Sequence, residues 1–116
     1  MPVRSDLDVW KGNTLNRTFR LKSPDGAAID VTGATLIFRA IDRGTELLRY
    51  SSAAGEELRV PTPANGQVVL TMPVSDTRLL PDGAIARYEL ELRDDFGQTT
   101  VAYGTLKVSG GENDDA

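Results

Sequence analysis

The residues from Arg87 to Arg93 alternate between polar and apolar side chains without a break, and this pattern constrains the fold more than any other. Alternation with a period of two predicts a β-strand that buries one face and leaves the other in water. The segments 17–22 and 68–72 repeat the pattern, and residues 34–41 form the longest apolar run. That run predicts a central strand that is covered on both faces for part of its length.

Turn-forming residues separate these segments at the spacing expected of a β-sandwich. The stretches 23–26, 64–66 and 94–97 each end in a glycine that can close a tight turn, and the prolines at 61 and 63 predict an edge strand or a loop. Only residues 74–80 look helical, and Pro81 ends that segment. Strands are therefore predicted at 7–10, 16–22, 34–42, 46–50, 57–60, 67–72, 84–93 and 98–108.

About seven or eight short strands with almost no helix predict an all-β fold, and an immunoglobulin-like antiparallel β-sandwich is favoured over a small barrel. This sandwich is predicted to span residues 1–108 as one domain, followed by an acidic disordered tail at 109–116. The predicted core consists of the inward-facing residues Phe19, Leu21, Leu36, Phe38, Val68, Leu70, Tyr88, Leu90, Leu92, Leu106 and Val108.

The net charge of −4 is concentrated in this tail. Three of the 17 acidic residues lie there, so 14 acidic residues face 13 basic ones in the rest of the chain. The basic residues are scattered among acids rather than gathered in a stripe, which argues against nucleic-acid binding. No apolar stretch is long enough to cross a membrane, and the N-terminus lacks the apolar region of a secretory signal. We therefore expect the chain to be made in the cytoplasm and to bind neither nucleic acid nor membrane.

The chain contains no histidine and no cysteine, so the most frequent general base and the best thiol nucleophile are both absent. We therefore predict that the protein is not an enzyme and has no cofactor or transition-metal site. The carboxylate pairs at 56–57 and 94–95 lie in predicted loops, where solvated acids are common. Calcium remains an alternative if Asp94 and Asp95 meet Asp25 or Asp82 at one end of the sandwich, although aspartate as a turn former is favoured.

Trp10 and its neighbour Lys11 are the candidate partner-binding residues. Trp10 is the one tryptophan of the chain, and two interpretations are open: it closes the end of the core, which is favoured, or it anchors a partner, as tryptophan often does at interfaces. Tyr88, at the start of a long strand, is expected to act like a tyrosine corner, with its hydroxyl bonded to the backbone upstream.

Three stretches of the sequence together resemble a family of immunoglobulin-like virion domains of tailed phages. The first, Trp10 to Thr14 with Phe19 to Leu21 following, is similar to the first hairpin of that family. The second, Pro24 to Ala34, is similar to its signature of Asp-x-Gly followed by a hydrophobic-Asp-hydrophobic-Thr-Gly run. The third runs from Thr77 to Val108 and includes the Asp95-Phe96-Gly97 turn. The family comprises the N-terminal domain of baseplate upper proteins and small tail or head-fibre-associated proteins.

This resemblance implies a structural role in a baseplate, a tail tip or a head or fibre attachment, through contacts with other virion proteins. It also implies localisation in the virion and a homo-oligomer within the assembled particle. The alternative is a bacterial immunoglobulin-like adhesion or carbohydrate-binding module, although such modules usually show several exposed aromatic residues and a signal peptide. A cytosolic assembly factor and an unrecognised enzyme are further alternatives.

Overall fold

The computed structural model describes residues 3–23, 25–81, 83–95 and 97–110. These residues form nine β-strands, one short α-helical turn and one 3-10 turn. The strands are β1 (Val3–Arg4), β2 (Leu7–Lys11), β3 (Leu15–Arg20), β4 (Thr35–Asp42), β5 (Thr45–Ser51), β6 (Leu58–Thr62), β7 (Gln67–Met72), β8 (Ile85–Asp94) and β9 (Gly97–Gly110). The helical turn α1 (Val74–Thr77) joins β7 to β8, and the 3-10 turn (Pro63–Asn65) joins β6 to β7.

The strands form two sheets, and the chain crosses between them repeatedly. In the larger sheet β1 and β2 lie beside β9, followed by β8, β4 and β5, while the smaller sheet has the order β3, β7, β6. This is the order of an immunoglobulin-like β-sandwich, so the predicted fold class is confirmed. One detail differs: β1 and β2 pair parallel with β9, because the N-terminal segment runs in the same direction as the last strand. The other strand pairs are antiparallel.

The core lies between the sheets and contains a row of aromatic rings. Tyr50 stacks on Phe38 with ring centroids 6.0 Å apart, and Phe38 stacks on Tyr88 with centroids 5.2 Å apart. The ring of Tyr88 also contacts Phe19 of the opposite sheet, with centroids 6.1 Å apart. The predicted core residues are buried, except Leu92, which is only partly buried. Leu92 follows a register shift between β8 and β9, and it lies two residues before the end of β8.

Turn and edge residues agree with the sequence at three positions. Gly66 has a φ of 65°, and a Cβ there would lie 2.6 Å from the carbonyl oxygen of Ile29 and 2.7 Å from that of Leu21. Glycine is therefore required for the close packing of this turn. Pro61 lies in β6, which is an edge strand in the described part of the smaller sheet, as predicted. The turn closed by Gly26 also forms, with its N–H donating to Ser23.

The ends of two predicted elements shift. The helical segment is shorter than expected, because α1 ends at Thr77. The N–H groups of Leu79 and Leu80 donate to carbonyl oxygens three residues earlier, as in isolated turns. Strand β9 continues two residues past the predicted domain boundary, because Ser109 and Gly110 pair with β2. The tail prediction for 111–116 and the predictions for Pro24, Asp82 and Phe96 concern residues outside those described. Within the described residues, no helix is long and apolar enough to cross a bilayer.

Candidate protein-binding surface

Trp10 lies on the outer face of the larger sheet, and its side chain is 56% exposed. Its neighbours along β2, Leu7 and Val9, are 1% and 0% exposed, so the alternation of the strand directs Trp10 away from the core. The indole packs over Gly110, where a Cβ would lie 2.6 Å from Cε3 of the ring. The prediction that Trp10 closes the core is therefore wrong.

Lys11 ends β2 and pairs with Gly110 in the ladder. It is partly buried, and it lies on the same side of the strand as Val9 rather than on the side of Trp10. The two candidate residues are thus adjacent in sequence but lie on different faces of β2. The outer face therefore carries the indole of Trp10 but not the ammonium group of Lys11.

A kink at Ser5 and Asp6 fixes β2 against the sheet. The hydroxyl of Tyr88 donates to the carbonyl oxygen of Ser5, and the N–H of Ser5 donates to the carbonyl oxygen of Tyr103 at 2.8 Å. The Asp6 carboxylate accepts the N–H of Thr105 at 3.0 Å, and this bond holds the pKa of Asp6 below its usual value. Gly104 leaves room for the kink, because a Cβ there would lie 2.5 Å from the carbonyl oxygen of Ser5.

The tyrosine-corner prediction is corrected by this geometry. The Tyr88 hydroxyl bonds to the N-terminal segment, 83 residues away, and not to the backbone just upstream. Burial raises the pKa of Tyr88 to about 12, against the smaller effect of this hydrogen bond. The role of Tyr88 is still structural, since it connects β8 to the segment that carries β2.

The opposite edge of the larger sheet is formed by β5. The hydroxyl of Tyr50 donates to the Asp76 carboxylate at 2.5 Å, which fastens α1 to this edge. Burial, with the hydrogen bond to Asp76, raises the pKa of Tyr50. Leu79 follows α1 and is 82% exposed beside a cavity of about 240 Å³ that Leu47 and Pro81 also line. Sequence reasoning missed this apolar edge, because residues 74–80 show only a helical pattern.

A shallow groove of about 610 Å³ crosses the outer face between these two edges. Its apolar residues are Ile41, Ile85 and Tyr103, of which Ile85 is 63% exposed. Its charged residues are Arg39, Asp42, Arg43, Arg87 and Glu89. Exposed aliphatic and aromatic groups surrounded by charges of both signs are typical of surfaces that bind proteins.

The acidic residues considered for calcium serve other purposes or stay apart. Asp25 accepts hydrogen bonds from the hydroxyl of Ser23 and the N–H of Ala27, and these bonds lower its pKa. Asp94 pairs with Gly97 in the β8–β9 hairpin. Among the residues that the structure describes, no three acidic side chains come together in a way that would hold a metal ion. The described residues thus give no support to the calcium alternative.

No known family model matches this sequence, and no curated protein is similar to it. Its function is therefore inferred from its residues and their geometry.

Proposed function

We propose that this protein is a structural component of a tailed-phage or prophage virion, that it acts through protein–protein contacts, and that it is not an enzyme. One observation carries the proposal: the single tryptophan is exposed on an edge strand of an immunoglobulin-like sandwich. An exposed indole on a rigid strand is a low-entropy anchor for a partner, and an open strand edge offers hydrogen bonds to it.

The chemistry of the chain supports a binding role over a catalytic one. The absence of histidine and cysteine leaves carboxylates, lysines and hydroxyls as the reactive groups. The carboxylates of Asp6, Asp25 and Asp30 have lowered pKa values, because each accepts hydrogen bonds within its own turn or from the adjacent strand. A general acid at neutral pH needs the opposite shift.

The virion setting is supported by the resemblance to phage immunoglobulin-like domains, which extends from the N-terminal strand to β9. Two of the stretches that carry it fall largely between strands, since residues 12–14 join β2 to β3 and residues 25–34 lie between β3 and β4, whereas the third covers β8 and most of β9. A domain that is stable and rigid, and that presents its edges and one sheet face, suits repeated placement in a particle.

Mass spectrometry of purified particles tests the proposal. We expect the chain in particles assembled in host cells, at a fixed ratio to the other virion proteins. The Trp10→Ala variant should enter the particles less than the wild type, while its free energy of unfolding falls by no more than about 2–3 kcal/mol, because a little over half of the residue is already in water. Val69→Ala is the matched control, since it shortens a partly buried apolar side chain in β7, the central strand of the smaller sheet, away from both open edges of the larger sheet.

Two results would contradict the proposal. Absence of the wild-type chain from purified particles would refute a virion role. Equal incorporation of the Trp10→Ala and wild-type chains would remove Trp10 as the anchor and leave the virion role to be carried by another surface.

A further inference from the structure

The larger sheet has two open edges in the described part of the chain, β2 on one side and β5 on the other. Strand β2 is parallel to β9, and three successive antiparallel pairings lead from β9 through β8 and β4 to β5. Strands β2 and β5 therefore run in opposite directions. If a second copy lies beside the first in the same orientation, β2 of one copy faces β5 of the other as an antiparallel pair, the more stable kind of ladder.

The main-chain groups that β2 offers at its open edge belong mainly to Asp8. Leu7 and Val9 are almost completely buried, including their backbones, so their N–H and C=O groups face β9. The groups of Asp8 and Trp10 then face outward, since the direction alternates along the strand. The carbonyl of Trp10 already accepts the N–H of Asn13 at 3.0 Å. Asp8 is thus the residue of β2 whose N–H and C=O both face the open edge.

The matching residue on β5 is Arg49. The N–H of Leu36 donates to the hydroxyl of Ser52, and the carbonyl oxygen of Leu36 accepts the N–H of Ser52. Because the direction of the main-chain groups alternates along a strand, Phe38 and Ala40 of β4 also direct their N–H and C=O groups toward β5. Their partners in the ladder are Tyr50 and Leu48. Arg49 lies between these two, so its N–H and C=O face the open edge. Its side chain lies on the outer face of the sheet and is 46% exposed.

We propose that copies of this chain join edge to edge, with β2 of one copy antiparallel to β5 of the next and Asp8 opposite Arg49. In this register both residues exchange main-chain hydrogen bonds, and the carboxylate lies beside the guanidinium on the outer face. On the inner face Val9 comes to lie beside Leu48, which extends the apolar core across the seam. The charges, the main-chain directions and the apolar faces all agree on this one register.

The seam is short, because the register of β5 against β4 shifts where Ile41 pairs with Glu46. Only Leu48–Ser51 offers a regular edge, so the contact is weak in dilute solution and is strengthened where copies are held together. Because β2 pairs with β5 and not with itself, the interface is heterologous and builds rings or filaments. This inference rests on the proposed function for its setting, and it names a second copy as one partner.

Disulfide trapping tests the register with purified protein, because the native chain has no cysteine. Opposed residues of a hydrogen-bonded antiparallel pair have Cα atoms about 5.5 Å apart, within the range that a disulfide spans. An Asp8→Cys chain and an Arg49→Cys chain of different mass are mixed and oxidised. We expect several-fold more heterodimer than from Asp8→Cys mixed with Arg20→Cys, an exposed position in the smaller sheet. Equal yields would overturn the proposal.

Charge reversal separates this interface from a β2–β2 contact. Asp8→Arg and Arg49→Asp should each weaken self-association alone, because like charges then meet, and an equimolar mixture of the two variants should restore it. If Arg49→Asp leaves self-association unchanged, the β5 edge is not used. Chains that cross-link yet are missing from particles would refute the virion role alone, whereas chains that enter particles but do not cross-link would refute only the edge pairing.

Discussion

At Gly104 two parts of the chain approach closely, since the Ser5–Asp6 kink lies directly against this residue. A Cβ at this position would lie 2.5 Å from the Ser5 carbonyl oxygen and 2.9 Å from Oδ1 of Asp6. Gly104→Ala should therefore lower the free energy of unfolding by about 1–3 kcal/mol, because main chain and not a flexible side chain must move. Urea denaturation measures the change, and an unaltered unfolding midpoint would show that the kink moves without cost.

At this scale the sequence identifies the inward-facing residues but not the partners of polar groups. Alternation correctly predicts Phe38 and Leu90 as core, because their neighbours along the strand are polar or lie on the other face. Trp10 follows the same rule, yet its exposure depends on which side of β2 faces the second sheet, and a five-residue strand ending in a loop leaves this open. The hydrogen bond from the Tyr88 hydroxyl to Ser5 joins residues that are 83 positions apart, so no local sequence pattern predicts it.

Along β8 the depth of burial changes from the middle of the strand to its end. Leu90 is fully buried opposite Phe38, whereas Leu92 is only partly buried. We expect Leu90→Ala to cost about 2–5 kcal/mol of unfolding free energy, and Leu92→Ala to cost clearly less, because it removes fewer buried contacts. Thermal or urea unfolding of the two variants provides the comparison. A loss below about half a kcal/mol for Leu90→Ala would contradict this register for β8.

The two buried tyrosine hydroxyls connect elements and make their attachment sensitive to high pH. Tyr50 ties β5 to α1 and Tyr88 ties β8 to the N-terminal segment, and both have pKa values raised from 10. Below pH 10 the folded and the unfolded chain both keep these two hydroxyl protons, so the full contribution of the two tyrosines to the free energy of unfolding is present. Above it the unfolded chain loses protons that the folded chain retains, and the free energy of unfolding should fall as the pH rises toward about 12.

Urea denaturation at several values between about pH 9 and about pH 11 measures this fall, since an unperturbed tyrosine titrates near the middle of that range. Tyr88→Phe and Tyr50→Phe should each flatten the dependence, because each variant removes one of the two groups. A dependence as steep in both variants as in the wild type would assign the effect to other groups.

The strands themselves are largely predictable from the sequence, whereas the pairing of β2 with β9 is not. Periodicity places β2 to β9 within a few residues, because it reflects only which face is buried, whereas the two-residue strand β1 is not predicted. Which strand forms an edge depends on contacts between the two ends of the chain, as Leu7 opposite Leu106 illustrates. The two open edges, and the match between Asp8 and Arg49, therefore emerge only from the assembled fold.

For the whole molecule, net charge opposes the proposed association. Each copy carries a net charge of −4, and side-by-side copies have centres about 25 Å apart, a distance set by the width of the molecule. Two such charges repel by about 3 kcal/mol in unscreened water and by about 1 kcal/mol at 0.01 M salt. An exposed ion pair such as Asp8–Arg49 contributes about 0.2–1 kcal/mol. At low salt the repulsion therefore equals or exceeds the attraction of the pair.

Self-association should consequently be strongest at intermediate salt. At about 0.15 M the Debye length of about 8 Å removes nearly all of the repulsion over 25 Å but leaves most of the attraction between touching side chains, whereas about 1 M salt screens that pair as well. Sedimentation velocity across this range measures the effect. Replacing Glu112 by Gln and both Asp114 and Asp115 by Asn leaves a net charge of −1, so this variant should associate at low salt nearly as well as at about 0.15 M. Association of the wild type that weakens steadily from the lowest salt upward would show instead that local ion pairs outweigh the net charge.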